Sequence, residues 1–168
     1  MSGLVVWLTG KPSSGKSTLA RRLWAELRVD RAVVCLLDGD EIRAALVPPH
    51  GYDPASRDDF YQTLGNLAAL IARQGLIVLV AATAHRRVHR ERARAAAPDF
   101  IEVYVRATQT ELEARDAKGL YAAVREGRLK GVPGADVEYE EPVQPELTSE
   151  GGEADLGALL AAIRRKLP

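Results

Sequence analysis

Residues Gly10 to Ser17 read GKPSSGKS, and this stretch constrains what the chain can fold into more than any other. Gly10, Gly15, Lys16 and Ser17 fit the spacing G-x-x-x-x-G-K-[ST]. Ahead of it, Leu4 to Leu8 is a continuous apolar run, the pattern of a short buried strand. Behind it, Lys16 to Leu27 places Leu19, Leu23 and Leu27 on one helical face. The motif has chemical meaning only in this strand–loop–helix order. Glycines let the backbone turn several N–H groups inward at phosphate oxygens, and the helix N-terminus adds its positive dipole end. Lys16 would reach the β- and γ-phosphates of a polyphosphate, and the Ser17 hydroxyl would ligate Mg²⁺. A plain Gly/Ser-rich turn before an ordinary helix is disfavoured by the same context.

Further strand-like runs follow at AVVCLLD, LIVLVAA and FIEVYVR, with helix-like segments between them at Ser56–Gln74 and Val88–Ala97. Two or more helices are expected from Thr110 to Glu126. Short apolar strands alternating with helices predict an α/β fold, a parallel sheet with helices on both faces. The 168 residues suit one domain. Gly127–Gly152, rich in Gly, Pro and Glu, reads as a mobile loop followed by an extended surface tail. The closing loop is placed at 125–137, and the tail with a C-terminal amphipathic helix at 138–167. Lys+Arg and Asp+Glu both total 23, so no net charge draws the chain to nucleic acid or membrane. Cys35, the single cysteine, lies in an apolar run and reads as a structural thiol. The absence of a leader, of a spanning run and of any possible internal disulfide leads to the expectation of a cytoplasmic protein.

In open α/β sheets, ligands bind beyond the carboxyl ends of the strands. That rule selects Asp38 and Asp40 after the second strand, Ala81 to His85 after the third, and Arg106 and Thr108 after the fourth. Asp38 could take a proton from an attacking hydroxyl, or hold a Mg²⁺-bound water. Asp40 and Arg43 have i,i+3 spacing, and Asp40 also suits a helix cap, with Asp38 then a turn residue. HRRVHRERAR (His85–Arg94) reads as a solvated helix face, apart from His85 at the strand's end. The basic loop REGRLKGVPG could close over a phosphoryl donor and exclude water.

GKSTLA, LDGDEIR, GLIVLVAA, RERAR, FIEVYV, EARDAKGLY, GRLKG and YEEPVQPEL together resemble, in order, the motifs of the adenylylsulfate kinases. The resemblance runs from Trp7 to about Leu147. It implies a three-layer P-loop NTPase fold with a lid loop, and transfer of the γ-phosphoryl of ATP to the 3′-hydroxyl of adenylylsulfate, with Mg²⁺. It also implies a homodimer. Gly10, Ser13, Ser14, Gly15, Lys16, Ser17 and Thr18 would hold ATP, with Arg115, Lys118 and Lys130. Lys16, Asp38 and Arg43 would be catalytic, and Ser17 and Asp38 would face the metal. Asp40, Arg43, Tyr52, Arg57, Phe60, Ala82, Thr83 and Val132 would line the acceptor site, Tyr52 stacking on the adenine.

Four places depart from the family pattern. Its N-I-R-R falls on Phe60, Tyr61, Gln62 and Thr63, and its I-S-P on Thr83, Ala84 and His85. Val132 stands where the closing loop should carry an aromatic, and Phe60 is expected to supply that stacking face instead. Ser13 replaces a glycine of the phosphate loop. Losing an arginine from a buried anionic site would cost about 2–5 kcal/mol. The readings left open are therefore an adenylylsulfate kinase, a diverged relative acting on another hydroxyl, and a non-catalytic nucleotide-binding regulator. A nucleic-acid kinase is disfavoured by the neutral charge.

Overall fold

A computed structural model describes residues 3–150 and 153–167. Gly151 and Gly152, the end of the Gly/Pro/Glu-rich stretch, lie outside the described residues. The elements run β1 (Leu4–Thr9), α1 (Lys16–Val29), β2 (Val34–Asp38), α2 (Gly39–Ala45), α3 (Pro54–Ala72), β3 (Ile77–Ala81) and α4 (Arg87–Ala96). They continue with β4 (Phe100–Val105), α5 (Gln109–Ala114), α6 (Leu120–Arg125), β5 (Leu147–Ser149) and α7 (Glu153–Lys166). The strands form one parallel sheet in the order β2-β3-β1-β4-β5.

β1 is central, and all six of its residues are buried. Alternate side chains leave a strand on opposite faces. Leu4, Val6 and Leu8 pack with Leu19, Leu23 and Leu27 of α1 and with Leu159 and Ile163 of α7. Val5 and Trp7 pack on the other side with Phe60, Leu64 and Ala68 of α3 and Ala93 of α4. Two apolar cores thus sandwich the sheet, the three-layer α/β arrangement that the strand pattern predicts.

Three local expectations are corrected. The tail does not merely cross the surface: Leu147–Ser149 forms a fifth strand, pairing parallel with Val103–Val105. Three residues ending in Thr and Ser carry too little apolar pattern to announce it. The arginine-rich helix α4 is a solvated face only in part: Arg87, Glu91 and Arg92 are exposed, but its other side is not. Arg90 is buried and donates to Glu102 at 2.8 Å, and Arg94 pairs with Glu146 at 2.6 Å, so α4 clasps β4 and the tail. Finally, Asp40 does not cap α2. Asp38 does, its Oδ1 accepting from the Asp40 N–H at 3.0 Å.

Candidate active site

The carboxyl ends of β1, β2 and β3 open onto one cavity of about 570 Å³. Its phosphate end is the loop after β1. A Cβ at Gly10 would sit 2.4 Å from the Val105 carbonyl oxygen, so only glycine fits there. Gly15 has φ 97° and precedes α1 with no side-chain cap and no acidic residue in the first turn. The helix start is left to an anion. Ser13, where the family pattern has glycine, is itself left-handed at φ 65°. That conformation costs a non-glycine residue about 1–2 kcal/mol, which accounts for the glycine preference. Ser14 is buried, and its Oγ has no hydrogen-bond partner among the described residues. Tyr121 on α6 braces the loop, donating to the Pro12 carbonyl at 2.8 Å.

Lys16 is buried and folded back on this loop, donating to the Gly10 and Lys11 carbonyls at 2.9 Å each. Burial without an anion lowers its ammonium from 10.5 to about 8, against the pull of Asp40 and Asp38. Unfolded Lys16 therefore keeps a proton that folded Lys16 gives up between those values. Stability of the free protein rises with pH across that window and is diminished below about 8. A bound polyphosphate would restore the charge. At about pH 8.5, nucleotide binding is expected to take up about three-quarters of a proton. Titration calorimetry in two buffers of different ionisation enthalpy reads this directly, and Lys16→Ala should abolish the uptake.

Beside Lys16, Ser17 Oγ donates to Asp38 Oδ2 at 2.5 Å, and Asp38 is buried at the end of β2. Both carboxylate oxygens are thus fixed, one by the cap of α2 and one by the phosphate-loop serine. Asp40, exposed, forms an ion pair with Lys118 across the cavity mouth rather than an i,i+3 pair with Arg43.

The opposite end of the cavity is built by α2, α3 and the loop after α6. Arg43 is buried, and its Nη1 donates to the carbonyls of Gly51 at 2.7 Å and His50 at 3.2 Å. Tyr52 is 63% exposed and leaves ring surface open to the cavity. Arg57 is buried and donates to the Gly131 carbonyl, which ties α3 to the closing loop. That loop is held by Asp136, whose carboxylate accepts from the Gly131 and Val132 N–H groups at 2.7 Å each. Gly131 and Val132 are therefore hydrogen-bonded within the loop itself.

Lys16, Asp38 and Arg43 all line this cavity, as do Ser13, Gly15, Ser17, Thr18, Arg115, Lys118 and Lys130. Asp40, Tyr52, Arg57, Phe60, Ala82, Thr83 and Val132 line it too. Gly10 and Ser14 support the loop from behind. Phe60 does not offer a stacking face: it is 1% exposed, and the Arg43 guanidinium covers its ring. Gln62 and Thr63 lie off the cavity, Gln62 bonded to Asn66 and Thr63 exposed. The missing arginines of the family pattern were therefore not lost from the cavity wall.

His85 is buried in a ring cluster with His89 and Tyr61, the two imidazoles 5.4 Å apart. Burial, helped by the charge of Arg57, lowers His85 to about 4, which keeps it neutral near neutrality. It stands behind Tyr61 and does not line the cavity. Asp116 accepts from the Leu120 and Ala122 N–H groups at the start of α6, a structural role, whereas Arg115 and Lys118 line the cavity. Sequence reasoning missed Tyr61, Tyr121 and Asp136. The spacing of Tyr61 from Arg57 is i,i+4, which puts both on one face of α3.

A family model described as adenylylsulphate kinase matches residues 2–150. A probable bifunctional SAT/APS kinase 2 of Sorangium cellulosum is 41% identical over 99% of this chain, which spans only 29% of that relative's length. An adenylyl-sulfate kinase of Picosynechococcus is 35% identical over 98% of this chain and 93% of its own. The Mycobacterium tuberculosis APS kinase, solved in complex with AMPPNP and APS, superposes with a TM-score of 0.89 at 33% identity, covering 98% of each chain. With the phosphate loop, the five-stranded sheet and the closing loop in the places described, the chain belongs to the adenylylsulphate kinase family of ATP-dependent kinases.

Proposed function

We propose that this chain transfers the γ-phosphoryl group of MgATP to the 3′-hydroxyl of adenylylsulfate. One observation carries the reading. A single cavity joins a polyphosphate loop to a wall bearing Arg43, Arg57 and the open ring of Tyr52, with Asp38 between the two ends. The uncapped start of α1, the unpartnered Ser14 hydroxyl and the buried, proton-shedding Lys16 fit a triphosphate. The adjacent Ser17 and Asp38 oxygens fit Mg²⁺, which takes oxygen ligands and keeps several waters, and these two residues would hold it. Mg²⁺, when bound, neutralises charge on the β- and γ-phosphates.

Lys16 places positive charge where charge develops on the transferring group. Asp38, held by Ser17 and by the α2 backbone, is positioned to accept the proton of the attacking hydroxyl. Tyr52 stacks on the adenine, and Arg43 and Arg57 take the phosphosulfate oxygens. Gly131 and Val132, anchored through Asp136 and Arg57, shut water out. The resemblance adds a homodimer to this reading, which light scattering at working concentration would test.

A coupled ADP-release assay with adenylylsulfate beside other nucleotides and small alcohols tests the acceptor. Adenylylsulfate should give the highest kcat/KM. Phe60 and Val132 in the wall favour a different hydroxyl as the second reading, and a better alternative acceptor would establish it. Tyr52→Ala should raise KM for adenylylsulfate by about 5- to 150-fold, the scale of one stacked base, and leave KM for ATP unchanged. An equal rise in both would remove Tyr52 from the acceptor side.

A further inference from the structure

Two rings and two carbonyls grip the guanidinium of Arg43. Its Cζ lies 3.8 Å from the centre of the Phe60 ring and 4.5 Å from that of Tyr52. Nη1 donates to the carbonyls of Gly51 and His50. Both N–H bonds of Nη1 are thereby engaged, leaving those of Nε and Nη2. Among the described residues no carboxylate pairs with Arg43, whereas the comparably buried Arg90 has Glu102. A cation that is buried without a counter-charge, but with part of its donor edge unspent, is set for an incoming anion.

The ring of Phe60 is the fixed partner in this grip. It sits in the α3-side core, edge-on to Tyr61 at 5.3 Å, while Tyr52 is mostly exposed. The attraction of a desolvated guanidinium to an aromatic face is directional, because it follows the ring quadrupole. It keeps the cation over the ring face, and the two carbonyls fix the direction of its Nη1. An asparagine at this position could hydrogen-bond a ligand; phenylalanine has no donor or acceptor with which to do so.

We propose that Phe60 is a positioning residue for the acceptor: its ring holds Arg43 in place so that the free guanidinium edge faces the acceptor's oxyanion. This rests on the acceptor reading above. Adenylylsulfate contributes the oxyanion, and Phe60 acts on it only through Arg43.

The test compares Phe60→Leu, which keeps apolar bulk and removes the aromatic face, with Phe60→Tyr, which keeps the face. Phe60→Leu should raise KM for adenylylsulfate about tenfold or more. KM for ATP should hardly move, the thermal midpoint should fall by a few degrees because a buried ring is trimmed, and Phe60→Tyr should restore the wild-type KM for adenylylsulfate. A merely structural role would raise both KM values together. Arg43→Lys, which keeps the charge but cannot lie flat on the ring, should match Phe60→Leu in KM. A second readout does not depend on the acceptor. Modification of Arg43 by phenylglyoxal, followed by peptide mass mapping, should speed up several-fold in Phe60→Leu and return to the wild-type rate in Phe60→Tyr. Unchanged KM with unchanged Arg43 reactivity in Phe60→Leu overturns the proposal, as does Phe60→Tyr behaving like Phe60→Leu. If the wild type fails to turn over adenylylsulfate, the acceptor reading falls, while the phenylglyoxal comparison still decides whether Phe60 holds Arg43.

Discussion

Lys16→Ala should leave a folded protein with phosphoryl transfer reduced by at least about 10²–10³-fold, the scale of removing one preorganised electrostatic donor. The fold should survive because Lys16 contributes no apolar core; its ammonium contacts only the Gly10 and Lys11 carbonyls of its own loop. Its lowered pKa says that the free protein holds this cation at a cost. Alanine removes that cost, so the thermal midpoint of the nucleotide-free protein should stay level or rise near neutral pH. The same substitution should cancel the stabilisation that ATP gives the wild type, since the charge that meets the polyphosphate is gone. Turnover near the wild-type rate would place the chemistry somewhere other than this loop.

Asp38→Asn should lower kcat by about a hundredfold or more, the usual contribution of a general base. The substitution keeps the shape of the side chain. Asparagine caps helices about as well as aspartate, so α2 should keep its start and the midpoint should shift little. What disappears is the negative charge beside Ser17 Oγ, at the meeting point of the two halves of the cavity. Asp40→Asn is the informative control. Its carboxylate is exposed and pairs with Lys118 at the cavity mouth, an interaction of the kind worth up to about 1 kcal/mol. It should cost less in rate than Asp38→Asn, and little in stability. Equal small effects at the two positions would show that Asp38 is only a cap.

The parts of this molecule that the sequence makes legible are those governed by short-range periodicity. Leu4–Thr9 and Ile77–Ala81 are buried at every position, and such strands read as unbroken apolar runs. The phosphate loop is legible because its spacing reflects backbone geometry that few other residues satisfy. Features set by distant partners are not. Leu147–Ser149 becomes a strand only because β4 offers it an open edge. Whether Asp38 or Asp40 caps α2 depends on where β2 ends, and a one-residue difference exchanges their roles. That the ring of Phe60 is covered depends on Arg43, which belongs to another helix, α2. The outward facing of Gln62 and Thr63 was within reach. Arg57, Phe60, Tyr61 and Leu64 are spaced i, i+3, i+4 and i+7 on the buried face of α3, and the two residues between Tyr61 and Leu64 fall off it.

The sheet with a separate core on each face has a consequence for how such an enzyme can change. The helix that starts at the phosphate loop rests on the core of α1 and α7, whereas Phe60, Tyr61 and Ala82 belong to the core of α3 and α4. Side chains alternate across β1 and β3, so a repacking on the α3 side meets a different set of residues from the one beneath the phosphate loop. The proposed acceptor wall and the phosphate loop face one cavity, but the cores that support them lie on opposite faces of the sheet and share no residue. Acceptor preference can drift along one layer of this molecule while the capacity to hold and activate ATP is inherited unaltered on the other.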